Sequence, residues 1–394
     1  RLLWKTKKRM QVLDWKEYRL DEVTEPIKDT YIPDGSDEHY YIGLEHIEQE
    51  SLRLNSVGVS SDVTSNKFKF KANDILFGKL RPYFRKVVQP DFDGICSTDI
   101  WVFRAKAGFD QNYLYYFLAN WDFVNTANSG EGGTRMPRAD WNFLKTTNWL
   151  LPAFSEQTQI ASVFSSLDDK IDLLHRQNKT LEQLAETLFR QWFIEEAKKS
   201  WEETTLYDVI ELTGGGTPKT EVSEYWNGTI KWLSAKDITV NHKSFITNTE
   251  KSITELGLKN SSANILEKYS MIISARGTVG KYCLLSEPMA FSQSNYGIKA
   301  KNKNYFFTYL LVANSVEELQ AAAYGSVFDT ITTNTFKEHK IKIPSETEIK
   351  KFENSVSEYF QKIESNTNQI RTLTQLRDTL LPKLMSGEVF LINN

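Results

Sequence analysis

Two short turns set guanidinium and ammonium groups where a phosphate-bearing partner would meet them. The first, from Gly78 to Lys86, follows a β-rich run and interleaves Lys79, Arg81, Arg85 and Lys86 with the rings of Tyr83 and Phe84. Cations in such a loop suit phosphate contacts, and arginine also pairs with guanine through two parallel hydrogen bonds. The second turn, Ser274 to Lys281, again puts arginine after a strand and carries Arg276, Thr278 and Lys281. One such turn alone is most simply a solvated loop with incidental charge; an arginine in the same turn of two repeats favours contact with DNA. A loop with Arg135 and Arg138 corresponds to the stretch from Gly325 to Lys337, where Thr332, Thr333 and Asn334 replace the arginines, and asparagine suits adenine. Lys219, in a Gly-rich turn, completes the set of candidate contacts.

Catalytic readings fail on the same residues. The run Gly214-Gly215-Gly216-Thr217-Pro218-Lys219-Thr220 has Pro218 where a phosphate loop needs glycine before its lysine, and Thr213 where the first glycine belongs. The five histidines (His39, His46, His175, His242, His339) lack metal-ligand spacing. Pro90-Asp91 has no convincing downstream acid-x-Lys to complete a nuclease core, and the tetrapeptide of amino-methyltransferases does not occur. Cys96 and Cys283 lie far apart with no CxxC spacing, which speaks against a disulfide framework and fits a reducing compartment.

Two long heptad seams are available to position the turns. Ile160, Phe164, Leu167, Ile171, Leu174, Asn178, Leu181, Ala185, Leu188 and Trp192 alternate in steps of four and three. Phe352, Val356, Tyr359, Ile363, Asn366, Ile370, Leu373, Arg377 and Leu380 do the same, at a constant offset of 192 residues that lays Phe352 on Ile160 and Leu380 on Leu188. The chain is therefore a repeat of globule and rod, and each rod is about 50 Å long at 1.5 Å per residue. The polar seam residues Asn178, Asn366 and Arg377 are expected to fix register. Expected boundaries are a first globule over 10–154, a central helix over 155–197, a second globule over 198–343 and a C-terminal helix over 344–386. Ser345 with Glu348 forms a capping box for the last of these, and Pro382 and Gly387 are expected to end it. Leu173, Leu184, Phe189 and Phe193 lie off the seam and are expected to meet helices of another chain.

With 40% hydrophobic and 13% aromatic residues, the 394-residue chain can bury two cores. Formal charge is nearly balanced at −3, so its distribution says more than its sum. Residues 67–86 hold seven bases and one acid, whereas 155–197 hold eight acids and four bases. A basic strip on the first globule and an acidic rod are expected. No apolar run reaches 18 residues and no signal peptide opens the sequence, so a soluble cytoplasmic protein is expected, with residues 1–9 an upstream remnant.

The ending Leu380-Leu381-Pro382-Lys383-Leu384-Met385-Ser386-Gly387-Glu388 and the opening Gly215-Gly216-Thr217-Pro218, with Trp226 and Trp232-Leu233 behind it, resemble the specificity subunit of type I restriction-modification systems. So do the two turns Lys79–Tyr83 and Ala275–Lys281, and the stretch from Pro152 to Ile160 before the rod. The resemblance covers essentially the whole chain from Met10 onward. It implies an α+β fold of two α/β target-recognition globules in tandem repeat, separated by two long helices that form an antiparallel coiled coil. It also implies double-stranded DNA as the partner, each globule reading half of a bipartite target, and no active site or cofactor in this chain. Two modification subunits using S-adenosylmethionine, and motor-nuclease restriction subunits using ATP and Mg, would do the chemistry; no membrane is involved. Two readings from other classes stay open at this point: a DNA-modifying enzyme in its own right, and a coiled-coil adaptor that touches only proteins.

Overall fold

The computed structural model describes residues 15–35, 38–129, 137–324 and 330–391. The chain divides into two compact units, residues up to Lys170 with those from Leu373 onward, and Ile171–Thr372. Each long helix, Phe154–Arg190 and Glu346–Met385, is shared between the units.

Both units are built on one plan. In the first, Thr24–Ile27, Ile100–Ala105, Ile75–Gly78 and Val87–Val88 form an antiparallel sheet in that spatial order. In the second, Ile210–Gly214, Asn295–Ala300, Met271–Ser274 and Tyr282–Leu285 take the same places, and Phe245–Ile246 extends the edge. Each unit adds a second sheet containing one parallel pair, Tyr40–Ile42 with Gly94–Cys96 in the first and Trp226–Leu233 with Met289–Phe291 in the second. A two-stranded ribbon closes each unit, Lys16–Arg19 with Asn148–Leu151 and Glu202–Thr205 with Lys340–Ile343.

The central strands are largely apolar because both their faces are covered over most of their length, and the two-residue period of a strand sorts their side chains between two cores. Ile75, Phe77, Trp101 and Phe103 join the core shared with the helices, while Leu76, Val88, Ile100 and Val102 join Ile42, Phe70 and Cys96 under the second sheet. In the second unit Met271, Ile273 and Leu284 face the helical core, and Ile272, Cys283 and Leu285 face the other. Both cysteines are free and buried, and burial pushes their thiols up, to about 12 for Cys96.

Within each unit the two long helices run side by side and antiparallel. In the second unit Phe189 meets Phe352, and Asn366 donates to Asn178 Oδ1 (2.9 Å) and Gln177 Oε1 (3.3 Å). In the first, Arg377 donates to Asp168 (2.8 Å), and Ile160 and Phe164 share a core with Leu380 and Leu384. The Ser345–Glu348 capping box forms as expected; Lys198 and Ser345 hold the Glu348 carboxyl down at about 2.

The aromatic segment of the first globule forms two helices, Gln111–Ala119 and Trp121–Ser129, broken at Asn120, whose extended backbone turns its amide to the Phe117 carbonyl. Two expectations are corrected. Pro382 does not end the C-terminal helix, because proline removes one helical bond and the final turn continues past it to Met385. Phe189 and Phe193 are not a free surface: they are 3% and 8% exposed and pack on Phe307 and Phe352, since the globule covers the side of the helix that the seam leaves open. Leu173 and Leu184 remain exposed at 41% and 46%. No helix among the described residues is long and apolar enough to cross a membrane.

Removing a buried ring loses both transfer energy and packing. Phe189→Ala is expected to cost the second unit about 3–5 kcal/mol, whereas Leu184→Glu stays within about 0.5 kcal/mol of the parent; denaturant midpoints measure both. Glu182 gives a pH signature. Burial, with Glu186 adding to it and Lys243 opposing, pushes its carboxyl up to about 7. A raised carboxyl keeps its proton in the folded state after the unfolded chain has lost it. Stability from this group is therefore greatest below the unfolded value near 4.3 and falls as pH rises to about 7. Glu182→Gln is expected to raise the melting temperature at about pH 8 and to change it little at about pH 4, where both states are protonated.

Candidate nucleic-acid interface

The turn after Ile75–Gly78 is closed by the Gly78 amide donating to the Lys86 carbonyl (2.9 Å). Its near side is stitched to a distant segment: the Arg81 amide donates to the Pro137 carbonyl (2.7 Å) and the Ala139 amide to the Lys79 carbonyl (2.8 Å). That pairing brings Arg138, which bonds Asp99 at 3.3 Å, beside Lys79. Burial first, then the Arg138 and Lys28 cations, holds the Lys79 ammonium below the usual lysine range against the pull of Asp99. Crowded cations of this kind lower their mutual repulsion by binding an anion. Arg81 lies over the Phe84 ring at 5.8 Å, and Tyr83, 39% exposed, packs edge-on to the same ring.

The second unit builds its turn the same way. The Ser274 amide donates to the Lys281 carbonyl (2.7 Å), and the Ile331 amide to the Ala275 carbonyl (3.1 Å). Arg276 and Thr278 are exposed, and Thr278 Oγ1 lies 2.8 Å from Thr239 Oγ1. Counted from the outgoing strand, Arg81 stands opposite Gly277, and counted from the returning strand, Arg85 stands opposite Gly280. All four have positive φ, at 51°, 79°, 46° and 81° respectively. The two turns enter and leave alike, the first being one residue longer, and each unit furnishes its turn with different side chains.

Several sequence expectations need revision. Arg85 does not face solvent: it is 2% exposed and donates to the carbonyls of Ala119 (2.6 Å) and Glu50 (3.4 Å), with Asp378 at 3.5 Å. Lys86 turns inward to the Leu44 carbonyl at 2.5 Å. Thr332 caps the short helix Thr333–Glu338, the place that Asp140 fills before Trp141–Leu144, so it answers Asp140 and not an arginine. Thr333 is half-buried, with its hydroxyl 3.5 Å from that of Tyr296, and Asn334 is exposed. Lys219 belongs to a different neighbourhood, where its carbonyl accepts from the Trp226 indole and Lys251 lies over the Trp226 ring. Arg135 lies outside the described residues. Sequence reasoning missed Lys28 and Asp99, which reach the Lys79 cluster only through strand pairing across many residues; the one local signal was the placement of Lys28 at the end of a β-rich run. Among the described residues no group of histidine, cysteine, aspartate and glutamate side chains could hold a metal ion.

The duplicated topology has a counterpart among known families. The family described as the type I restriction modification DNA specificity domain matches this chain twice, over residues 13–183 and 198–375. The chain belongs to that family. The two matches fall one on each repeat of the fold. The chain is 27% identical over 307 residues to the type I restriction enzyme MjaIX specificity subunit of Methanocaldococcus jannaschii, covering 72% of this chain and 70% of that protein. It is 23% identical to the HindI specificity subunit of Haemophilus influenzae, over 95% of this chain and all of that one. The fold is shared with the type I restriction-modification S subunit from M. genitalium, at a TM-score of 0.58, 17% identity, and coverage of 98% and 99% of the two chains.

The turn exists here in two chemical versions, and their left-handed backbone gives a test. Arg81 is held at positive φ, where a non-glycine residue carries strain of about 1 kcal/mol or more. Arg81→Gly is expected to leave the first unit at least as stable as the parent, while Arg85→Gly, at an equally positive φ, loses its buried bonds and lowers the melting temperature. Thermal melts of the two variants measure the contrast.

Proposed function

We propose that this chain is a non-catalytic DNA-specificity subunit that reads a bipartite target, one half with each unit. The observation that carries this reading is the repeated turn: one backbone device, stitched in the same way to its own unit, presents Lys79, Arg81, Tyr83 and Arg138 in one copy and Arg276, Thr278 and Lys281 in the other. Two independent readers of different base sequences need that combination of constant scaffold and divergent surface. Family membership supports it, since the matched relatives are named as specificity subunits of type I restriction enzymes.

The long helices act in this reading as an antiparallel coiled coil that fixes the unread gap between the half-sites. Of the four side chains expected to meet another chain's helices, Leu173 and Leu184 stay exposed and are assigned to docking two modification subunits. Those subunits use S-adenosylmethionine to methylate adenine, and restriction subunits use ATP and Mg to cleave; the complex works on double-stranded DNA in the cytoplasm.

The spacing role is tested by inserting one heptad after Asn178 and another after Ser365, facing points that keep Asn178 opposite Asn366. The insertion keeps both seams in phase and adds about 10 Å of helix. The gap in the methylated motif recovered from cells is expected to grow by up to about three base pairs, with the bases of both half-sites unchanged. An active complex with its original gap would show that the helices do not set the spacing.

A further inference from the structure

Each recognition turn has a side-chain bond to the aromatic helical segment of its own unit, and the two units use different residues for it. In the first unit the tie leaves from the turn. Arg85, 2% exposed, runs inward to the Ala119 carbonyl, which is open to it because the aromatic helix breaks at Asn120. The same guanidinium reaches Asp378 on the C-terminal helix, and Asp378 also takes Arg377 at 3.2 Å. Arg377, equally buried, bonds Asp168 on the central helix and the Ser51 carbonyl, and the Tyr116 hydroxyl donates to Asp168 at 2.8 Å. The turn that holds Lys79 and Arg81 is thus wired to both long helices through two buried arginines and two aspartates.

In the second unit the tie arrives from the opposite direction. The aromatic helix runs unbroken from Tyr305 to Tyr324, and Gln320 on it donates to the Val279 carbonyl of the turn at 2.7 Å. Gly280 makes room, since a Cβ there would lie 2.5 Å from Gln320 Nε2. The heptad offset that lays Leu380 on Leu188 places Ala185 and Phe360 where the first unit has Arg377 and Asp168, so apolar packing replaces the ion pair. Near the position that Arg85 fills, the second unit has an open cavity of about 370 Å³, whose lining includes Glu186, Tyr282 and Ala313.

We propose that Arg85 in the first unit and Gln320 in the second are positioning residues. They set the orientation of the recognition turns, and with it the base selectivity of each unit, without touching DNA. The inference rests on the reading of these turns as DNA-facing. It predicts a split between selectivity and affinity: a turn that rocks on a loosened tie still brings its cations to phosphates but no longer holds them square to base edges.

The experiment assembles Arg85→Met, Asp378→Asn, Gln320→Leu and, as a reference, Arg81→Ala with the modification subunits and selects bound duplexes from a pool of randomised double-stranded DNA. Dissociation constants are then measured for the parent's selected duplex and a scrambled one. Arg85→Met and Asp378→Asn are expected to blur the bases chosen by the first unit alone, lowering the ratio of selected to scrambled affinity about tenfold while scrambled affinity stays within about twofold. Gln320→Leu is expected to do the same for the second unit. If Arg85→Met melts the first unit, Gln320→Leu, which removes one bond from the surface of an intact helix, decides the matter. Equal loss of affinity for both duplexes, or unchanged selection at both half-sites, overturns the positioning role. If Arg81→Ala alters selection while the other variants do not, the inference falls and the DNA-facing reading stands. If Arg81→Ala also changes nothing, that reading is what has failed.

Discussion

Each long helix has to bury two stripes, one against the other long helix and one against a globular unit, and this constraint organises the chain. A heptad seam alone would leave the flanking large side chains in water. Here Phe189, Phe193, Leu381 and Leu384 complete the helix-facing cores of the units, so that in each half the long helices share a core with one face of the central sheet. A full ring or leucine buried this way contributes roughly 1.5–3 kcal/mol. The helices are consequently structural walls of the recognition units as well as rods.

The two halves solve the same packing problem with different chemistry. The first unit places Arg377 and Asp168 in the helix contact, and the second places Ala185 and Phe360 there, with Phe360 stacked on Phe306 at 4.4 Å. A buried ion pair adds little net stability over well-packed apolar side chains, but removing one member strands the other charge at a cost of about 3–5 kcal/mol. The ionic version therefore tolerates less local change, and it binds the turn, the globule and both helices into one cooperative network. Nη2 of both Arg85 and Arg377 is buried with no hydrogen-bond partner on the protein, and the Arg85 guanidinium lies over the Trp121 ring.

Much of the architecture was legible because it is periodic. The heptads and the Ser345–Glu348 cap are local patterns, and the structure has long helices and a capped start where the sequence places them. The errors have a common cause in contacts between residues far apart in sequence. A run of cations such as Lys79 to Lys86 looks uniformly exposed; nothing local says that Arg85 turns inward to a carbonyl freed 34 residues later by a helix break at Asn120. The Lys28 and Asp99 neighbours of Lys79 were invisible for the same reason. Phe189 and Phe193 were misjudged because heptad spacing describes one partner surface and the globule supplied a second.

The left-handed residues of the two turns bear on how such a chain evolves. A single base change converts an arginine codon to a glycine codon, and glycine is the residue that this backbone accepts most readily. The second unit has glycine at both places, Gly277 and Gly280, and carries its arginine at Arg276, where no left-handed backbone is required. The first unit carries arginine at both positions; at 81 relief from strain lies one mutation away, whereas at 85 the buried bonds to Ala119 and Asp378 oppose the exchange. Glycine follows this left-handed path without strain, so the shape of the second unit's turn depends less on the side chains beside it.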